Sequence, residues 1–179
     1  MQTESRPTAS TRTAPERLGL DDLAAMTVAE LDARYRRGTL PDSLRLLDGE
    51  PTCRMLAVRG LESDRIAGAL RSFAASGRFP WAGKSFRAHD DGTGEGINRV
   101  RLGGERRWYP FATRIEPSVI DGKPCILLDY DTPKNPFFIR AIRDELREVS
   151  PGLFLGPALV DTKKRPPVLA LYFACDTRR

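Results

Sequence analysis

Two tyrosines and an asparagine are the residues in the middle of this sequence that could do chemistry. Asn98, Tyr109 and Tyr130 fall in a region whose alternation of apolar and polar residues predicts β-strands. A phenol can donate a proton or hydrogen-bond a developing oxyanion, and an amide can help to hold the same oxygen. In the predicted pairing Asn98 lies opposite Tyr109, so the two could hold one carbonyl oxygen. The alternative is that these polar groups satisfy one another inside a packed core.

His89 is the only histidine of the chain, and it ends a predicted strand over 84–89. It could act as a general base, or as a haem ligand in the manner of haem-binding calycins. The alternative is a surface residue that hydrogen-bonds within the acidic loop over 90–96. With a single histidine and no Cys-x-x-Cys spacing, the sequence predicts no metal site and no cofactor, haem being the one alternative.

Glu145 is a further candidate for acid–base chemistry. Asn135 as N-cap and Pro136 at the first position predict a helix over 136–149. Its apolar stripe consists of Phe138, Ile139, Ile142, Leu146 and Val149. Glu145 lies at the edge of this stripe, so in a helix that covers a barrel it could reach inside with a raised pKa. The alternative is a boundary residue that points outward.

The candidates are positioned by residues 96–131, which predict three antiparallel strands. Gly103-Gly104 and Asp121-Gly122 favour positive φ and predict two-residue hairpin loops. Such loops fix the register, and the register divides the side chains between two faces. The predicted strands run over 97–102, 106–117 and 124–131.

One face of these strands is mainly apolar, and the other is rich in arginine. The apolar face is predicted to be the inside, because burying unpaired arginines would cost several kcal/mol each. Arg114 and Asp129 would then form a cross-strand ion pair outside. The inner face carries Asn98, Val100, Leu102, Arg107, Tyr109, Phe111, Thr113, Ile115, Ile126, Leu128 and Tyr130. Its predicted ligand contacts are Val100, Phe111, Thr113, Ile115 and Leu128.

Asp129 and Asp131 look like a carboxylate pair for acid–base catalysis. In the predicted register both point outward, which favours a structural role. A loop with an odd number of residues would reverse this assignment. Pro110 and Pro117 also indicate a bend or bulge in the middle strand, which could shift the register.

The remaining elements follow from periodicity and end signals. Thr27 and Glu30 form a capping box that predicts a helix ending near Arg37, before Gly38. The other predicted elements are a strand over 53–58, a helix between Ser63 and Gly77, and a hairpin of strands 153–160 and 168–175.

Seven or so strands in adjacent hairpins, with three helices, favour an antiparallel sheet that curls. We predict a mainly β (α+β) fold, a calycin-like or lipocalin-like antiparallel barrel with N-terminal helices and one helix before the last hairpin. An open sheet with helices on one face is the alternative. Residues 1–17 are predicted to be a disordered tail. Residues 18–179 form one predicted domain, with a helical part over 18–77 and a barrel part over 78–176.

The composition excludes several classes of protein. The chain has 179 residues, 40% of them hydrophobic and 30% charged, and its formal net charge is +5. It has neither a membrane span of 18 apolar residues nor a secretory signal. Its basic residues are dispersed except at 163–165 and 178–179, which argues against nucleic acid as a partner. Cys53, Cys125 and Cys175 cannot all pair and predict reduced thiols in a cytoplasmic protein.

Four segments resemble a group of uncharacterised bacterial proteins. They are Leu-Asp-Tyr-Asp-Thr-Pro-Lys-Asn-Pro at 128–136, Arg-Asp-Glu-Leu at 143–146, Gly-Leu-Phe-Leu-Gly at 152–156 and Pro-Trp-Ala-Gly-Lys-Ser-Phe at 80–86. The layout is more distantly similar to proteins that pair a GXWXG domain with a domain of unknown function. The match covers roughly residues 45–175, although Gly-x-Trp-x-Gly itself is absent. The resemblance implies a soluble bacterial protein and carries no activity.

Together these features predict a protein that binds a small, largely apolar or amphipathic molecule inside a barrel. The predicted activity is a cofactor-independent isomerisation or cyclisation, in which a shaped cavity and Tyr/Asn hydrogen bonds do most of the work. The alternatives are a non-catalytic carrier or sensor, and a haem-binding calycin that uses His89. The sequence leaves the oligomeric state open.

Overall fold

A computed structural model describes residues 17–58, 81–101, 103–161 and 166–178. Residues 1–16 of the predicted tail, the predicted helix between Ser63 and Gly77 and the basic residues at 163–165 lie outside these ranges. The described helices are α1 (Leu20–Ala25), α2 (Val28–Arg37) and a 3₁₀ helix (Leu44–Leu47). The described strands are β1 (Thr52–Val58), β2 (Trp81–Ala88), β3 (Gly94–Arg101), β4 (Glu105–Pro117), β5 (Pro124–Asp129), β6 (Ile142–Ser150), β7 (Leu153–Val160) and β8 (Val168–Asp176).

The eight strands form one antiparallel sheet that curls into a nearly closed barrel. Their order is β1-β8-β7-β6-β5-β4-β3-β2, so β1 and β2 stand at the two ends of the sheet. These ends approach each other at Gly83 of β2, where an added Cβ would lie 3.1 Å from the Cβ of Cys53 on β1. The predicted antiparallel barrel is therefore confirmed.

The core has two layers, because strand side chains alternate between the inside and the outside of the barrel. The inner cluster fills much of the barrel and consists of Leu47, Phe86, Phe111, Ile126, Leu128, Tyr130, Leu146, Phe154, Phe173 and Cys175. The outer cluster joins α1 and α2 to the strands and consists of Leu18, Leu23, Leu31, Tyr35, Leu56, Leu153, Leu155, Tyr172 and Ala174. The helices thus cover part of the outer surface of the sheet.

Helix α2 begins and ends as its sequence predicts. The Glu30 backbone N–H donates to the Thr27 hydroxyl at 3.3 Å, and the Thr27 N–H donates to the Glu30 carboxylate at 2.8 Å. Gly38 ends the helix where the chain passes close to β6. A Cβ at Gly38 would lie 2.8 Å from the Cβ of Arg147, so a side chain there would separate the helix from the sheet.

The β3–β4 hairpin has a longer loop than predicted. Arg101 pairs with Glu105, which leaves three residues in the loop instead of two and displaces the adjacent pairs by one. Asn98 therefore lies opposite Trp108, and the predicted pair with Tyr109 is wrong.

A β-bulge at Tyr109 then restores the predicted register. Tyr109 has φ of 59°, in the left-handed region, and the pairing shifts between Ile97 and Asn98. Beyond this point Gly96 lies opposite Phe111, as the two-residue loop would have placed it. The extra loop residue and the extra bulge residue offset each other, so the inner face continues along β4.

The β4–β5 hairpin also has a longer loop, but its faces are those predicted. Pro117 pairs with Pro124, so six residues form the loop. Thr113 rather than Ile115 lies opposite Leu128, a displacement of two residues that leaves every side chain on its predicted face. The predicted ion pair of Arg114 and Asp129 is present, at 2.9 Å.

The predicted helix over 136–149 is wrong. Residues 137–141 form turns, and Ile142–Ser150 is strand β6, hydrogen-bonded to β5 and β7. Both faces of β6 are buried. Leu146 packs in the inner cluster, while Arg147 packs beneath α2, with its guanidinium 4.5 Å from the centre of the Tyr35 ring. Pairing on both edges outweighs the helix propensity of this segment, and its charged residues Asp144, Glu145 and Arg147 are buried.

Candidate functional site

The barrel contains a cavity of about 240 Å³. Its wall is mostly apolar and aromatic, with four polar residues that we call the polar cluster: Lys84, Asn98, Tyr130 and Asp144. The apolar part of the wall comprises Met55, Trp81, Val100, Tyr109, Ile139, Ile142, Ala158, Leu171 and Phe173. A few converging polar groups in an apolar concavity are typical of a small-molecule site.

Lys84 is the centre of the polar cluster. It lies on β2, on the same face as Phe86, and is 3% exposed. Its Nζ donates to Asp144 Oδ2 at 2.8 Å, to the Tyr130 hydroxyl at 2.6 Å and to Asn98 Oδ1 at 3.1 Å. These three bonds use all three donors of the ammonium group.

Aromatic rings surround the same ammonium group. Its Nζ lies 4.9 Å from the ring centre of Phe173, 5.3 Å from those of Phe111 and Tyr130, and 5.6 Å from that of Trp81. Aromatic faces attract a cation, most strongly where water is excluded. The charge of Lys84 is thus stabilised by rings as well as by oxygens.

The surroundings fix the protonation of two members of the cluster. Burial by itself would lower the pKa of Lys84, but the Asp144 carboxylate and the Tyr130 oxygen hold that pKa above its ordinary value. Burial raises the pKa of Tyr130, the Asp144 carboxylate raises it further, and Lys84 offsets only part of the rise. At neutral pH the cavity therefore presents an ammonium ion and a neutral phenol.

Hydrogen bonds hold the two neutral members in place. The Tyr130 hydroxyl donates to Asp144 Oδ2 at 3.1 Å and accepts from Asn98 Nδ2 at 3.0 Å. Asn98 also accepts from Trp81 Nε1 at 3.0 Å and donates to the carbonyl of Tyr109 at 3.2 Å. The cluster is rigidly connected, and β2, β3, β6 and the segment after β5 each contribute one member.

Asp144 is the exception to this complete pairing. It lies on β6, is 3% exposed, and its Oδ2 accepts from Lys84 and Tyr130. Its Oδ1 is buried and has no hydrogen-bond partner among the residues that the structure describes. An unpaired buried carboxylate oxygen is costly, so its presence in a cavity wall indicates a position for a donor from a ligand.

The predicted contact residues divide into three groups. Asn98, Val100, Tyr109 and Tyr130 line the cavity. Phe111, Thr113 and Leu128 are buried inside the barrel, but they do not line it. Ile115 is predicted to lie inside, and this is wrong: the residue is 49% exposed, although its cross-strand partner Ile126 is buried in the inner cluster.

His89 and Glu145 do not reach the cavity. His89 is exposed in the turn between β2 and β3, where its Nδ1 lies 3.3 Å from the Thr93 hydroxyl. Its predicted roles as general base or haem ligand therefore have no geometric support. Glu145 is fully buried but lies in the outer layer, where it accepts from the Tyr35 hydroxyl at 2.7 Å and the Ser118 hydroxyl at 2.5 Å. The prediction that it reaches into the barrel is wrong, because β6 turns successive side chains to opposite faces.

Sequence reasoning missed Lys84 and Asp144. Lys84 alternates with Phe86 in a predicted strand, so its inward direction could have been inferred from that apolar neighbour. Asp144 falls in the predicted helix over 136–149, where Arg140 would be its i,i+4 ion-pair partner; in the structure Arg140 pairs with Asp131 at 2.6 Å.

Comparison with known proteins establishes the fold and goes no further. No model of a known protein family matches the chain, and no curated protein does. The chain is similar to a crystal structure of a protein from Thermomonospora curvata, with a TM-score of 0.51 and 20% sequence identity. The similarity covers 86% of this chain and 89% of the other.

Two further observations concern only the described residues. None of their helices has the length and apolar character needed to cross a membrane. Within the same ranges, no group of three or more His, Cys, Asp or Glu side chains is arranged to hold a metal ion.

Proposed function

We propose that the barrel binds a small, largely apolar molecule and catalyses a cofactor-independent isomerisation or cyclisation of it by proton transfer. The observation that carries the proposal is the unpartnered Oδ1 of Asp144 in the wall of a mostly apolar cavity. This oxygen can accept a hydrogen bond from a ligand, or a proton from it.

The size and lining of the cavity support a ligand of limited volume. At about 240 Å³ it is smaller than the cavities of about 300–1,000 Å³ that hold drug-sized molecules. Its apolar wall suits a hydrocarbon frame, and its polar cluster suits a single oxygen-bearing group. A small ketone or hydroxy compound meets both requirements.

The polar cluster supports a specific course for the reaction. Asp144 Oδ1 takes a proton from the carbon beside a carbonyl group, and the C–H electrons move into the carbonyl to give an enolate. The Lys84 ammonium can stabilise the enolate oxygen by exchanging its 3.1 Å bond to Asn98 for one to the ligand. Return of the proton from Asp144 to another carbon gives the isomer. Atoms and electrons balance without a redox partner, so the reaction needs no cofactor.

A carrier or sensor is the second candidate, and the completeness of the other hydrogen bonds favours it. Lys84, Tyr130 and Asn98 are already satisfied by one another, as in a network that serves to specify a core. In that case the ligand occupies the cavity and leaves unchanged. Three free thiols suit a reducing compartment, and we place either function in the cytoplasm.

Proton exchange separates the two candidates. β,γ-Unsaturated cyclic ketones are incubated with the protein in D₂O, and NMR follows deuterium at the α-carbon and migration of the double bond. Displacement of anilinonaphthalene sulfonate, followed by fluorescence, reports binding. An enzyme binds and exchanges, and Asp144→Asn loses exchange by at least about a hundredfold, as expected for a general base.

The matched control is Asp129→Asn, which alters a carboxylate paired with Arg114 outside the cavity. This variant should keep both exchange and binding. Binding without exchange would favour the carrier. Failure of every probe to bind would contradict both candidates.

A further inference from the structure

Two cysteines lie face to face at the edge of the sheet. Cys53 of β1 and Cys175 of β8 are direct partners in the strand register, and their sulfur atoms are 3.1 Å apart. Both are free thiols. Opposed positions in an antiparallel pair bring side chains close enough for a covalent link without movement of the backbone.

The two thiols differ in their access to small molecules. Cys53 is half-buried and lines a polar cleft of about 410 Å³, which also has Arg54, Arg99 and Arg101 in its wall. Cys175 is buried in the inner cluster. A molecule that enters the cleft therefore meets Cys53 first, with Cys175 directly behind it.

We propose that Cys53 and Cys175 form a redox-active dithiol that a hydroperoxide oxidises to a disulfide. Cys53 releases its proton, and the thiolate attacks the terminal oxygen of the hydroperoxide; an S–O bond forms as the O–O bond breaks, and the leaving oxygen takes up a proton from solvent and departs as an alcohol or water. The Cys175 thiol then attacks the sulfenic sulfur, forming the S–S bond and releasing water. The two sulfur atoms together lose two electrons, and the peroxide gains them.

The surroundings of Cys53 suit the attacking role. Burial would raise its pKa, but its hydrogen bond with Cys175, the backbone N–H of Lys84 and the charges of Lys84 and Arg99 together lower that pKa. Burial and the neighbouring Cys53 raise the pKa of Cys175. A nucleophilic thiolate therefore forms at Cys53 first, and Cys175 is suited to resolve the intermediate.

Arg99 can assist the departure of the leaving oxygen. Its Nε is buried and has no hydrogen-bond partner among the described residues, although the side chain lines the cleft. An N–H donor at this position can stabilise developing charge on the peroxide oxygen. Gly83 leaves the space beside the thiol open, since an added Cβ would lie 3.2 Å from the Cys53 sulfur.

The experiment uses the reduced full-length protein and a small molar excess of hydrogen peroxide. Free thiols are then blocked with N-ethylmaleimide, and the protein is examined by intact-mass and peptide mass spectrometry. We expect the loss of two hydrogens, a peptide linked through Cys53 and Cys175, and a fall from three free thiols to one. Dithiothreitol should restore all three. Three unchanged thiols, a link between two chains, or a link to Cys125 would overturn the proposal.

Single variants test the order of the two steps. Cys175→Ser should hold Cys53 as a sulfenic acid that dimedone labels, and Cys53→Ser should leave Cys175 unlabelled at the same peroxide concentration. Equal labelling of the two variants would overturn the assignment of Cys53 as the attacking thiol.

Cys125→Ser is the control, because burial raises the pKa of that thiol to about 12 and it should take no part. The disulfide should form in this variant as in the wild type. The wild-type measurement does not depend on whether any variant folds.

Discussion

The ammonium of Lys84 lies 2.8 Å from the carboxylate of Asp144, and both side chains are buried inside the barrel. Removing water from two such charges is expensive, and their attraction repays the cost only when geometry and further hydrogen bonds are good. Here Tyr130 and Asn98 supply those bonds. The ion pair is therefore part of the fold as well as of the candidate site.

Lys84→Met should destabilise the protein severely. It leaves the Asp144 carboxylate buried without its cation, for which we expect a loss of about 3–5 kcal/mol in the free energy of unfolding. Urea denaturation measures the change. Arg140→Met is the matched control, since it removes an exposed ion pair with Asp131 worth about 1 kcal/mol or less. Equal losses of unfolding free energy in the two variants would show that the buried ion pair contributes no more to stability than the exposed one.

Asp121 should make the stability depend on pH in the acid range. Two hydrogen bonds from the buried guanidinium of Arg147, at 2.7 and 2.8 Å, hold the pKa of Asp121 to about 2 from an ordinary value of 3.8. Because the folded pKa is the lower one, this stabilisation is present above pH 3.8 and is lost as the pH falls towards 2. Asp121→Asn should flatten this part of the curve of unfolding free energy against pH. An unchanged slope between wild type and variant would contradict the assignment.

Gly83→Ala should weaken the contact between the two ends of the sheet. Gly83 has φ of 121°, and a Cβ there would lie 3.1 Å from Cys53. Backbone strain of about 1–3 kcal/mol adds to the cost of moving β1 and β2 apart. The control is Gly122→Ala, which has φ of 72° but open space around it and so carries strain alone. In thermal unfolding Gly83→Ala should have a lower Tm than Gly122→Ala. A higher Tm for Gly83→Ala would contradict the close contact between β1 and β2 at Gly83.

Tyr35→Phe tests the outer layer. The Tyr35 hydroxyl donates to the fully buried Glu145 at 2.7 Å, so its loss removes a bond to a charged group worth about 1.5–3 kcal/mol. Tyr172→Phe removes a longer, part-buried bond to Asp32, at 3.1 Å, and should cost less. Chemical denaturation compares the two, and a smaller effect at Tyr35 would contradict the role given to Glu145.

The strands and their faces could be predicted because the alternation of apolar and polar residues within a strand does not depend on the length of the loop that joins it to the next strand. The Asp121-Gly122 loop is longer than predicted, but it displaces the pairing by two and so moves no residue to the other face. The Gly103-Gly104 loop has one extra residue, which would have exchanged the faces of β4 relative to β3 had the Tyr109 bulge not offset it. The bulge could be anticipated only from Pro110.

The centre of the candidate site could not be predicted, because it depends on β6. Helix-forming residues and a good N-cap at Asn135 gave that segment a helical pattern, and only long-range pairing with β5 and β7 overrides it. With β6 treated as a helix, Asp144 had no reason to meet Lys84, 60 positions earlier in the chain. Asn98 and Tyr130, two of the four residues of the polar cluster, could thus be predicted from the sequence. Lys84 and Asp144 were identified only from the tertiary structure.

The two-sided burial of β6 has a consequence for how the barrel assembles. A slip of one position that brings Glu145 to the place of Asp144 would put one carboxylate where another was, so negative charge at that place cannot distinguish the correct alignment from the shifted one. The same slip would carry Arg147 to the interior place of Leu146 and bring Leu146 to the place of Glu145, against the Tyr35 and Ser118 hydroxyls. Leu146 and Arg147, two residues outside the candidate site, therefore select the correct register of β6.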